Sequence, residues 1–81
     1  MKYVMFEEPT GMQYPIVFPD HMEHRFITQC VNAAYPGIKP ISAGFVNAEG
    51  LTYGKSIGLN MNPLPGDIDL LKKLLGKGIN E

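Results

Sequence analysis

The sequence predicts an α+β fold: a ββαββα chain forming a four-stranded antiparallel sheet with two helices packed on one face. Three observations carry this expectation. Two pairs of β-rich segments are each joined by turn residues, and each pair is followed by a stretch of helical periodicity. The stretch Pro40 to Met61, PISAGFVNAEGLTYGKSIGLNM, reads as one long hairpin dense in Gly, Ala, Ser and Thr.

Lys2 to Glu7 alternates Tyr3 and Met5 with Val4 and Phe6 and reads as the first strand. Glu8-Pro9-Thr10-Gly11 is a turn signal, and Gln13 to Phe18 follows as the second strand. Pro15 has no amide hydrogen to give to a ladder, so this strand belongs at a sheet edge. Asp20 and Glu23 have capping-box spacing ahead of a helix whose stripe is Met22, Phe26, Cys30 and Ala33, widened by Ile27, Val31 and Ala34. His21, His24, Arg25, Thr28, Gln29 and Asn32 then fall on its polar face, and Tyr35-Pro36-Gly37 ends it.

In the hairpin, a loop of Asn47 to Gly50 sets Val46 opposite Leu51, Gly44 opposite Tyr53 and Ser42 opposite Lys55. Large residues then face small ones, with the Tyr53 ring lying over Gly44. A loop one residue longer or shorter inverts the relation and stacks Phe45 with the aromatic side of the partner strand. Neither face of the hairpin is purely polar. Cover on both sides is expected, one side from the helices and the other from a partner or ligand.

After the rigid turn Asn62-Pro63-Leu64-Pro65-Gly66, a second helix is expected from Gly66 to Leu75. Asp67 and Asp69 lie at its amino end and Lys72, Lys73 and Lys77 towards its carboxyl end. Ile68, Leu71 and Leu75 form its inner stripe, and Gly76 suits the residue that follows the last turn. Leu70 and Leu74 broaden the stripe beyond one seam and are candidate subunit-interface residues. Residues 77–81 are expected to fray.

At 81 residues the chain is one domain, and domains of this size bury only about 60–65% of their unfolded surface. A single cysteine, Cys30, rules out an internal disulfide, so a homo-oligomer is the expected route to further stability. Net charge −1 and pI near 6.1 argue against nucleic-acid binding, which relies on clustered Lys and Arg. No apolar run approaches the ~20 residues that span a bilayer, and MKYVMFEEP turns acidic too soon for a secretory segment. A cytoplasmic protein is expected.

Enzymatic chemistry finds little support. Gly54-Lys55-Ser56 lies in a strand, and the nearest preceding glycine, Gly50, has the wrong spacing for a phosphate loop. His21, His24 and Glu23 lack further ligands at metal-site spacing, and Cys30 falls on the apolar helix stripe away from both histidines. The pairs Glu7-Glu8 and Asp67/Asp69 are in no evident cleft. The expectation is a protein with no catalytic residues, no cofactor and no metal.

The blocks PISAGF (Pro40 to Phe45) and YGKSIGL (Tyr53 to Leu59), then a proline turn and D-x-D-L-L (Asp67 to Leu71), resemble a group of small uncharacterised phage- and prophage-associated proteins. The likeness covers roughly the C-terminal half; the turn Leu64-Pro65-Gly66 departs from it, being less polar. The resemblance transfers no functional residue. It implies a phage-type accessory protein that acts by stoichiometric binding, with inhibition of a host defence through a host protein or a small anionic, nucleotide-like ligand as one route; the alternatives are a structural or virion component, a housekeeping interaction module, or a small enzyme with an unrecognised site. For the anionic ligand the candidate residues are Ser42, Thr52 and Ser56 as a hydroxyl shelf with Tyr53 beside it. Lys55, Arg25 or His24 would close on phosphates.

Overall fold

The computed structural model describes residues 1–75 in full and the last helix as far as Asn80. The chain runs β1 (Lys2–Glu7), β2 (Gln13–Phe18), α1 (His24–Ala34), β3 (Lys39–Val46), β4 (Thr52–Tyr53) and α2 (Asp67–Asn80). The strands form one four-stranded sheet, β2-β1-β3-β4, in which every pair is antiparallel. β2, the strand that contains Pro15, lies at an edge as its sequence requires. The tail expected to fray, 77–81, lies outside the fully described residues, and α2 continues past the expected stop at Leu75.

β1 is the centre of the molecule. Tyr3, Val4, Met5 and Phe6 are all fully buried, because the two faces of the strand feed two separate cores. Val4 and Phe6 pack with Phe18, Ile27, Ile38 and Ala43, whereas Tyr3 and Met5 pack with Val46 and Leu71. Ile27 belongs to α1 and Leu71 to α2, so the helices cover opposite faces of the sheet. This corrects the expectation of both helices on one face. The cause is legible in β1 itself: a strand with no polar face needs cover on each side. At roughly 1.5–3 kcal/mol for each large apolar side chain buried, that requirement dominates the placement of the helices. The second face is thus closed by α2 rather than by a partner.

β3 carries a bulge opposite Met5 and Phe6, where Ser42 pairs with Met5 and Pro40 with Phe6. Ile41 is the extra residue, and it packs with the Tyr3 and Met5 core that Ser42 also faces. The β3–β4 hairpin has the longer loop, Asn47 to Leu51. Phe45 is opposite Tyr53 and Val46 opposite Thr52, which replaces the large-on-small register. Asn47 selects this loop, since its Oδ1 accepts from the amides of both Glu49 and Leu51 at 3.0 Å. The ring that lies over a glycine is consequently Phe45 over Gly54. A Cβ on Gly54 would come within 2.9 Å of Phe45 Cδ1, and its φ of +66° suits glycine. That left-handed residue ends β4 after two positions instead of letting it run to Met61. The chain then makes a small loop closed by paired backbone hydrogen bonds between Ser56 and Met61.

α1 begins at His24, with Glu23 as its N-cap and no side-chain capping bond; Asp20 instead meets the Met1 amine at 3.2 Å. Its buried residues are His24, Ile27 and Thr28, joined by Val31. Of the expected stripe, Met22 and the flanking Ile27 and Val31 do pack in the core, whereas Phe26, Cys30, Ala33 and Ala34 are exposed, so the buried face is centred about one residue, or ~100°, away from the expected one. Phe26 is 53% exposed and Cys30 faces water. Polarity misassigned this face because the buried polar groups are satisfied internally. The Thr28 hydroxyl donates to the His24 carbonyl at 3.0 Å, and His24 Nε2 lies 2.9 Å from the Gly44 carbonyl.

α2 is fixed through its first residue. Asp67, 3% exposed, accepts on Oδ2 from the Tyr3 hydroxyl at 2.6 Å and the Ser42 hydroxyl at 2.7 Å. The Leu64 amide donates to the same oxygen at 2.9 Å. Three donors offset the desolvation of a carboxylate that would otherwise be costly to bury. Just upstream, Pro63 packs on Gly44, where a Cβ would come within 2.6 Å of Pro63 Cγ.

Replacing Asp67 by Ala leaves buried donors without an acceptor. Urea unfolding should report a loss of about 3 kcal/mol, against near-neutral behaviour for Asp69→Ala on the exposed side of the same helix. Burial and the Asp67 carboxylate together raise the Tyr3 hydroxyl far above its ordinary value. The neutral phenol is therefore favoured in the folded state. Its contribution to stability is complete below pH ~10 and declines above it, as the unfolded chain's tyrosine ionises first. Comparing unfolding at neutral pH and at pH ~11 in wild type and Tyr3→Phe checks the sign. The variant should lose less stability over that interval.

Candidate functional site

Four segments converge at one end of the sheet. The start of β1, the end of β3, the start of α1 and the chain just after β4 enclose an open cleft of about 270 Å³. Its lining is Lys2, Phe45, Glu23, His24 and Arg25, with Lys55, Ile57 and Gly58 from the loop after β4. Antiparallel pairing makes this meeting unavoidable, because Lys2 is directly opposite Phe45 in the sheet.

The cations are positioned by their stems and neighbours. Lys2 Nζ donates to the Met22 carbonyl at 3.0 Å and lies 5.9 Å from the centre of the Phe45 ring. Arg25 lays its aliphatic stem against Gly58, where a Cβ would sit only 3.2 Å from Arg25 Cγ. Among the described residues the salt bridges are Met1 with Asp20 and Lys39 with Glu7, so Lys2, Arg25 and Lys55 have no carboxylate partner. Glu23 is the cleft's one acidic residue.

The floor is aromatic and fixed. Phe45 stacks with Tyr53 at 5.4 Å, and the His24 ring meets Phe18 and Phe45 edge-on at 5.4 and 5.8 Å. The Gly44 carbonyl can only accept, so His24 Nε2 carries the hydrogen in their contact. His24 is 6% exposed and ties α1 to β3 beneath the cationic rim.

Of the residues expected to bind a ligand, His24, Arg25 and Lys55 meet in this cleft, and Tyr53 supports its floor. The hydroxyl shelf does not exist as a unit. Ser42 is buried on the α2 side and donates to Asp67, and Thr52, opposite Val46, belongs to that side too. Ser56 is buried within its own loop, where its Oγ accepts from the Leu59 amide at 3.2 Å. Of the interface candidates, Leu70 is half-buried against its own core and Leu74 is exposed. Lys2, Glu23, Phe45, Ile57 and Gly58 were not among the expected site residues. Nothing in one sequence links positions 2, 25 and 55; the link is made by the antiparallel pairing and by the turn at Gly54.

A second hollow of about 340 Å³ lies between the β1–β2 turn and the end of α1, lined by Pro9, Tyr35, Pro36 and Ile38 among others. Glu8 is its one charged residue, and Tyr14 donates to Glu8 at 3.4 Å. Among the described residues no group of three or more His, Cys, Asp or Glu side chains could hold a metal ion. No described helix is long and apolar enough to cross a membrane. In comparisons with protein-family models, curated proteins and solved structures, nothing matches this chain.

The rotation of α1 has a direct chemical readout. Cys30, on the exposed side, should react stoichiometrically with a thiol reagent in native buffer at the rate of a free surface thiol. Protection relieved only by denaturant would restore the original apolar stripe.

Proposed function

We propose that the protein is a stoichiometric binder, not an enzyme, and that its ligand is a small anionic, nucleotide-like molecule held in the Lys2/Arg25/Lys55 cleft. The observation that carries this reading is the concentration of charge. Three of the chain's seven Lys and Arg residues line one cleft without carboxylate partners among the described residues, although the chain as a whole has a net charge of −1. A site of that kind attracts phosphate, and guanidinium and ammonium donors suit its oxygens. The fixed aromatic floor adds apolar surface for the remainder of the ligand. In the phage setting implied by the sequence resemblance, the protein withdraws such a molecule from a host defence in the host cytoplasm.

A protein partner is the second reading. It is favoured by Ile57, 84% exposed at the rim, with Phe26 exposed on the neighbouring helix. Self-association through Leu74 belongs to the same proposal of a protein that works by contact.

Isothermal titration with a panel of mononucleotides, combined with native mass spectrometry, tests the first reading. A ligand should bind at fixed stoichiometry and be recovered unchanged. Arg25→Ala and Lys55→Ala should each weaken it about ten- to hundredfold without shifting the unfolding midpoint. Binding that ignores both substitutions, or no binding at all, removes the reading. Ile57→Ser abolishing capture of a protein while nucleotides fail to bind would favour the second.

A further inference from the structure

The geometry points to a selectivity within that cleft: it is built for a dianionic phosphomonoester rather than a phosphodiester. The inference rests on the anion-binding reading above and adds the chemical class of the anion. Its first ground is charge. Lys2, Arg25 and Lys55 against Glu23 leave a local excess of two positive charges in a small volume. The Met1 amine and Asp20, close in sequence to lining residues, pair with each other at 3.2 Å. A phosphomonoester carries close to two negative charges at neutral pH, with a second ionisation near pH ~6, whereas a diester carries one.

The second ground is size. At about 270 Å³ the cleft lies just below the ~300–1,000 Å³ typical of ligand pockets. The open cleft holds a phosphate with the group next to it, and the choice of a monoester over a small diester is made by charge and by the number of free oxygens. The third ground is where the cations come from. Lys2 is on β1, Arg25 on α1 and Lys55 on the loop after β4, so they approach from three separate elements. A terminal phosphate offers three free oxygens to three such donors, and a bridging phosphate offers two.

Glu23 does not spoil this arrangement. It is the N-cap of α1 and makes no side-chain capping bond, leaving its carboxylate as an acceptor at the rim. A bare anion has nothing to donate there, but the hydroxyl of a sugar phosphate does.

The test uses matched pairs, AMP with 3′,5′-cyclic AMP and GMP with 3′,5′-cyclic GMP, titrated into the wild-type protein by calorimetry. Each pair keeps its base and changes the monoester to a diester. At least one monophosphate should bind tenfold or more tightly than its cyclic partner, and Lys55→Ala should shrink that ratio. Equal or tighter binding of the cyclic member overturns the selectivity while leaving the anion site intact. No binding of any of the four overturns the site itself, and the selectivity with it.

Discussion

A single carboxylate oxygen holds the sheet, the last helix and the connection between them in one arrangement. Asp67 Oδ2 gathers hydrogen bonds from β1 through Tyr3, from β3 through Ser42 and from the approach to α2 through the Leu64 amide. An apolar residue at position 67 could fill the space but could not satisfy those donors. The same clamp fixes the returning arm of the loop after β4. Leu64 is pinned, Pro63 lies on Gly44 and the Asn62 carbonyl accepts from Ala43. With the two arms of the loop joined between Ser56 and Met61, Lys55 and Gly58 are presented to the cleft from a defined position.

The cover on both faces decides where a ligand can go. α1 closes one side of β1 and α2 the other, so no broad face of the central strand is left open. What remains is the end of the sheet, where β4 stops after two residues and the chain turns away at Gly54. The early stop thus shapes the cleft. It exposes one side of the aromatic row at Phe45 and Tyr53 and brings Lys55 round towards Arg25. Three basic residues far apart in the chain line one cleft there, and the anion proposed for it would relieve their mutual repulsion.

The positions of β1, β2 and β3, the edge placement of β2 and the α+β class were legible because alternation and turn chemistry act locally, whereas β4 stops at Tyr53 and not at the expected Met61. The placement of the helices was not read correctly, although β1 contained the necessary information in Tyr3-Val4-Met5-Phe6, a run with no face for water. The rotation of α1 was hidden for a different reason. His24 and Thr28 are polar by type, and it is the Gly44 carbonyl together with the Phe18 and Phe45 rings, all distant in sequence, that accommodates His24 as a buried residue. The hairpin register turned on Asn47, whose side chain accepts from two loop amides and stabilises the longer loop. In the site, Arg25, His24 and Lys55 could be singled out as candidates, but Lys2 entered only through strand pairing. Asp67 looked like a residue that complements a helix dipole, and its role as an acceptor for two strands depended on contacts distant in sequence.

The central claim is that one end of this sheet is an anion site assembled from four segments of the chain. Mapping backbone amide chemical shifts during a titration with AMP tests it most directly. The account predicts that the perturbed amides cluster at Lys2, Arg25, Lys55 and Gly58, with the Asp67 clamp and the hollow at Tyr35 and Pro36 unaffected. Perturbations centred on that second hollow, or scattered over the surface with no cluster at the cationic end, would contradict it.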